Sequence, residues 1–216
     1  MLGVELAAEA YLQRLRDELR RVDLPALNRW SDLIVEAWQR QQFVFLIGNG
    51  GSGLTASHIC EDLGKGTLRD TELRDASRQR VKALSLTDNL GWITALANDL
   101  AYDQVFVQQL MNFAGPGDAL IAISGSGNSP NILQAVAWAN RHGLKTFGLT
   151  GLDGGRLKQL QQDGLHLEVD DMGMVESLHL CLHHWVLNDV FARIHAVGRY
   201  ADAEEQETGV VSKAGQ

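Results

Sequence analysis

Apolar positions along the chain follow two rhythms. Over the first 41 residues they recur at helical spacing, with Leu6, Tyr11, Leu12, Leu15 and Leu19 in one segment and Leu27, Trp30, Leu33, Ile34 and Trp38 in the next. This predicts two amphipathic helices parted near Asp23 to Pro25. From residue 43 the pattern changes. Short apolar runs, FVFLI at 43, VKALSL at 81, DALIAIS at 118, KTFGLT at 145 and LHLEV at 165, alternate with helical segments. Five strands joined by helical crossovers predict an α/β fold: a three-layer α/β/α sandwich around a five-stranded parallel sheet, preceded by the two N-terminal helices. A length of 216 residues suits one domain. We expect it over residues 1–196, with the N-terminal helices (1–41) included, and expect the aperiodic polar run 197–216 to be a flexible tail. Trp30, Trp38 and Trp92 suit either the core or a subunit interface, the core being the simpler reading.

Composition narrows the picture only a little. The chain is 45% hydrophobic with a formal charge of -8, so no basic stripe is available for a phosphodiester backbone and nucleic acid is not an expected partner. Cys60 and Cys181 lie in segments that read as helical and buried, which predicts reduced thiols rather than a disulfide framework. No apolar stretch approaches the roughly 20 residues of a membrane span, and acids come too early for a signal peptide. The expectation is a cytoplasmic protein without a membrane partner.

Two loops carry chemistry. Gly48, Asn49, Gly50, Gly51, Ser52 and Gly53 follow the first strand and launch a helix through His58 to about Lys65. Glycines let backbone N–H groups turn toward an anion, and a helix N-terminus adds roughly half a positive charge. Gly48, Gly50 and Gly53 also match a dinucleotide-binding spacing. The required acid on the next strand is missing, however, since Ser85 and Thr87 precede an Asp88 that comes too late. The second loop, Ser124 to Pro130, sets the hydroxyls of Ser124, Ser126 and Ser129 among glycines at a strand end, as a phosphate cradle would; the plainer alternative is a polar turn with Ser129 as helix cap.

Acid, base and metal candidates sit on two helices. His58 and Asp62 are four residues apart and share a face, while the last helix offers Glu176, His179, His183 and His184. Imidazoles with carboxylates suit zinc as well as acid–base work. On an ideal helix His183 lies about 20° from Glu176 and His184 about 80°. Periodicity thus favours His183 as the partner of Glu176, while ordinary packing remains the plainer role for His179 and His183.

GNGGS followed by a helix bearing His58, then TALANDLAYDQVF, ISGSGNS and LTGLDGG, in that order and spacing, resembles the sugar isomerase (SIS) domain family, and within it the phosphoheptose isomerases, over residues 10 to 196. The resemblance implies an aldose–ketose isomerase converting sedoheptulose 7-phosphate to an aldoheptose 7-phosphate. It also implies that the two N-terminal helices (about 1–41) serve oligomerisation and that the protein is a homotetramer with sites at subunit contacts. Asn49, Gly50, Gly51 and Ser52 would meet the sugar, Ser124, Gly125, Ser126 and Ser129 the phosphate, and Asn98 and Asp99 would face the same cleft. His58, Asp62, Glu176 and His184 would hold one zinc ion per subunit, Glu176 also touching substrate, with Asp62 and His184 catalytic.

The chain departs from the family pattern at four positions. Asp62 replaces a Glu and is one methylene shorter; Glu176 replaces a Gln; Gly173 stands for an acidic residue and Gly66 for an Arg, beside Lys65. An isomerase for another ketose phosphate, or a non-catalytic phosphosugar-binding relative, are the alternatives these departures leave open.

Overall fold

Val44, Phe45, Leu46 and Ile47 are all fully buried, so the strand they form must be covered on both faces. The computed structural model, which describes residues 1–201, builds that cover from helices on either side of one sheet. In chain order, α1 (Leu2–Glu5), α2 (Ala8–Leu19) and α3 (Leu24–Gln39) precede β1 (Phe43–Gly48). Next, α4 (Gly50–Glu61) runs into a π-helical turn, Asp62–Gly66, before β2 (Lys82–Ser85). Then α5 (Leu90–Asp99) and α6 (Val107–Phe113) lead to β3 (Ala119–Ser124), and α7 (Pro130–Arg141) to β4 (Lys145–Thr150). Finally α8 (Leu157–Leu160), β5 (Asp163–His166) and the long α9 (Met172–Ile194) follow.

The five strands are parallel in the order β2-β1-β3-β4-β5. Alternate residues of the central strands feed two separate cores, as the pleat requires. Val44, Leu46, Ile121 and Ile123 pack with Trp30 and Ile34 of α3, Ile59 of α4 and Leu178 and Val186 of α9. Phe45, Ile47, Leu120 and Ala122 meet Leu110 of α6 and Ile132 and Val136 of α7 on the opposite face. This is the expected three-layer sandwich. From β1 the chain moves outward to β2, then returns to place β3 on the other side of β1. The crevice of an open α/β sheet lies at such a reversal, beyond the carboxyl ends of the two strands, and Gly48 pairs there with Ile123.

Several expectations need adjustment. Of the N-terminal pair, α3 packs into the sandwich, where Ala26, Leu27, Trp30 and Ile34 fill one core; α2 buries only Glu18. Trp38 and Trp92 are half-buried. The last strand pairs over Asp163–His166 instead of 165–169. Leu165, Leu167 and Val169 still alternate into the core, so the periodicity reported burial beyond the end of strand pairing. Cys181 is exposed and Cys60 half-buried, both free. Gly198–Tyr200 forms a short 3-10 turn whose Tyr200 hydroxyl donates to Asp189 at 2.9 Å. The expected tail begins inside the described residues, and the rest of it, 202–216, lies outside them. No described helix is long and apolar enough to cross a membrane.

Candidate active site

The glycine loop after β1 and the hydroxyl loop after β3 meet at the strand-order reversal and form a cleft of about 600 Å³, open mouth included. Its wall is Asn49, Gly50, Gly51, Ser52, Ile123, Ser124, Gly125, Ser126, Ser129, Met172 and Glu176. Ser129 occupies the N-cap position of α7 but makes no side-chain capping bond, leaving its hydroxyl free for a ligand. Ser124 is buried at the end of β3, and its carbonyl accepts from Gly127 N at 2.9 Å, which curls the loop. Gly127 sits at φ +64°, and a Cβ there would strike the Gly154 carbonyl oxygen. Only glycine serves both demands.

The neighbour of Gly127 is the LTGLDGG segment, which does not line the cleft but braces it. Gly151 N donates to Gly125 O, and Leu157 N, at the start of α8 just beyond the segment, to Gly127 O, each at 2.9 Å. A second brace ties the two loops together. Asn49 and Asn131 exchange side-chain amide bonds at 2.8 and 2.9 Å, and the Tyr102 hydroxyl donates to Asn49 Oδ1 at 3.0 Å. Asn49 thus lines the cleft with much of its amide engaged by the scaffold. Neither Asn131 nor Tyr102 stands out in the sequence, because their contacts to Asn49 span 82 and 53 residues.

Asn98 and Asp99 do not join this wall. Both are exposed at the end of α5, where Asn98 Nδ2 donates to Asp99 Oδ1 at 2.8 Å.

Glu176 also differs from expectation. The carboxylate lies over Gly51, where an added Cβ would come within 2.5 Å of Oε1. It therefore belongs to the wall of the cleft and not to the histidine cluster, from which eight residues of helix separate it, about 12 Å along the axis.

That cluster forms where α4 passes into its π-helical turn, a distortion frequent at functional sites. His58 Nε2 lies 3.3 Å from Asp62 Oδ2 and His184 Nε2 3.9 Å from the same oxygen. One donor atom from each of the three residues falls within 4.8 Å of the others. His58 and His184 are exposed and Asp62 half-buried. His183 approaches Oδ2 from the core side at 3.0 Å while fully buried. Periodicity and resemblance had pointed to different histidines, and both reach Asp62, from opposite sides. Burial pushes the His183 imidazole down to about 4, outweighing the nearby Asp62 carboxylate, so the ring is neutral near pH 7. His179 is likewise pushed down to about 4 by burial and is a neutral core residue.

Gly66 is exposed beside Leu187, whose Cδ2 would lie at an ordinary contact distance of 3.4 Å from an added Cβ, so nothing in the structure explains the missing Arg. Asp171, two residues before Gly173, cannot stand in for a missing acid: its oxygens accept from Met174 N at 2.9 Å and Leu2 N at 2.6 Å.

A family model described as SIS domain matches residues 9–151. The phosphoheptose isomerase of Aliarcobacter butzleri is 34% identical over 160 residues, 74% of this chain and 81% of that protein. The phosphoheptose isomerase of Helicobacter pylori (strain P12) is 35% identical over 167 residues, 77% and 83% of the two chains. Among solved structures, phosphoheptose isomerase from Neisseria gonorrhoeae superposes with a TM-score of 0.76 at 25% identity, covering 88% of this chain and 98% of that one. The Francisella tularensis phosphoheptose isomerase gives 0.74 at 26% identity, covering 86% and 94%. A family model over residues 9–151 and relatives above 30% identity across most of both chains show that the chain belongs to the SIS (sugar isomerase) domain family and is an isomerase of the phosphoheptose isomerase type.

Proposed function

We propose that the protein interconverts sedoheptulose 7-phosphate and an aldoheptose 7-phosphate by moving a proton between C1 and C2. The observation that carries this reading is the pairing of a hydroxyl-lined cleft with a carboxylate surrounded by imidazoles. The hydroxyls of Ser124, Ser126 and Ser129 and the N-terminus of α7 hold the phosphate. Asp62 takes the proton from one carbon and returns it to the other, and His184 serves the sugar oxygens. Incubation with a panel of ketose phosphates tests the substrate: aldose product from the seven-carbon ketose supports the reading, and product from a different ketose alone overturns it.

Ser126→Ala should weaken binding of the ketose phosphate by about 1–3 kcal/mol, the cost of removing one partner of a charged hydrogen bond. Titration calorimetry giving equal affinities would remove Ser126 from the cradle.

The donor set also fits zinc, whose preference for imidazole nitrogen and carboxylate oxygen matches His58, Asp62 and His184. Bound there, zinc would polarise a sugar carbonyl or hydroxyl. Elemental analysis of protein purified without chelator should find close to one zinc per chain, and His58→Ala should lower that content. Metal-free protein with undiminished activity would leave these residues as acid–base groups only.

Helix geometry supports assembly into a homotetramer with sites completed between subunits. His58 and Asp62 stand about 10–16 Å along α4 from Gly51. Their cluster opens outward, so a neighbouring copy's cleft is the natural place for it to act. Leu54, Leu90, Leu100, Tyr102 and Phe113 are exposed, and the apolar α5 buries none of its residues. Such surface suits burial against further copies.

A further inference from the structure

We propose that His183 is a positioning residue, an imidazole in the core that donates its Nε2–H to Asp62 Oδ2 and holds the short carboxylate in its working rotamer. This inference rests on the isomerase reading of Asp62.

The contact measures 3.0 Å, and the His183 side chain is fully buried. Among the described residues its Nδ1 has no hydrogen-bond partner, which decides the tautomer. A proton on Nδ1 would strand an N–H in the core and aim the Nε2 lone pair at carboxylate lone pairs. A proton on Nε2 gives a good donor–acceptor pair and leaves only a bare lone pair unmet. The ring cannot easily turn away: Trp30 packs on it with centroids 6.0 Å apart, and Trp30 in turn stacks on Phe147 at 6.1 Å.

Packing alone does not account for an imidazole at this position. At a fully buried site between α3 and α9, a leucine would fill the space without the desolvation cost of an unpaired ring nitrogen. What the imidazole adds is a fixed direction for Asp62. His58 and His184 approach the same oxygen from the solvent side at 3.3 and 3.9 Å, and both are exposed. His183 is the one partner of that oxygen anchored in the core. A carboxylate one methylene shorter than Glu has little slack in reach, so a misplacement of about 1 Å would slow proton transfer severely. The buried donor limits that loss while keeping its own proton throughout.

The test compares wild type, His183→Leu and His183→Gln in ketose phosphate isomerisation, alongside long-range nitrogen–proton NMR of the wild-type imidazoles. We expect the Nε2–H tautomer for His183. We also expect a kcat about 10- to 100-fold lower in His183→Leu, the usual effect of losing a group that orients an active residue, with KM little changed. His183→Gln, which retains a donor, should recover part of that loss, while a packing role would be better met by leucine. An active wild type whose kcat is unchanged in His183→Leu, or a His183 ring carrying its proton on Nδ1, overturns this inference alone. Should His183→Leu fail to fold, the tautomer and the His183→Gln rate still decide it. A wild type that binds ketose phosphates without turnover overturns the isomerase reading itself, and the catalytic purpose assigned to His183 with it.

Discussion

Asp62→Asn is expected to slow isomerisation by at least about 10²-fold while leaving fold and phosphosugar affinity near wild type. The amide keeps the shape of the side chain and a hydrogen-bonding oxygen for His183, but it cannot accept a proton from carbon. The phosphate-binding hydroxyls belong to β3 and the loop that follows, while Asp62 lies at the start of the π-helical turn after α4. The two functions should therefore separate cleanly in kinetics. Asp62→Glu gives a sharper result still. The pocket around Oδ2 already holds Nε2 atoms of His58, His183 and His184 at 3.3, 3.0 and 3.9 Å, so an added methylene has no room to extend along the same line. We expect Asp62→Glu to lower turnover as well; a faster enzyme would mean that Asp62 is a detuned version of the longer acid. Retention of wild-type turnover by Asp62→Asn would remove Asp62 from the chemistry.

The largest expected effect on stability is at Trp30. It is fully buried, stacks on Phe147 and backs His183. Trp30→Ala should destabilise the fold by about 3–5 kcal/mol, the usual range for deleting a large aromatic from a packed core. In a domain of this size that lowers Tm by roughly 10 °C. Thermal and denaturant melts check this, and a loss under about 1 kcal/mol would mean that the space closes around the missing ring. A folded Trp30→Ala protein should also lose kcat beyond its loss of stability, because the support behind His183 is gone.

The parts legible in sequence were those whose signals are local. The glycine and serine clusters follow apolar runs directly, so strand, loop and helix start could each be read from consecutive residues. The pairing of His58 with Asp62 was legible for the same reason, since one helical turn separates them. What escaped was contact across the chain. His183 reads as ordinary packing because its partner is 121 residues away, and Asn131 and Tyr102 reach Asn49 only after the sheet has brought the two loops together. Glu176 illustrates the limit of resemblance. It occupies the position of a family metal ligand, yet within one chain its carboxylate rests on Gly51, because eight residues of helix hold it away from His184. Cys181 was misread for a different reason. α9 is apolar around most of its circumference, so periodicity alone does not reveal which side faces out.

In the proposed reaction this cleft and the Asp62 cluster together move a proton between adjacent sugar carbons. Sedoheptulose 7-phosphate incubated with the protein in heavy water, followed by NMR, tests it most directly. Deuterium should enter C1 of the ketose together with appearance of the aldose, both strongly reduced in Asp62→Asn. Saturating binding of the phosphosugar with neither exchange nor aldose would contradict it and make the protein a phosphosugar-binding member of its family.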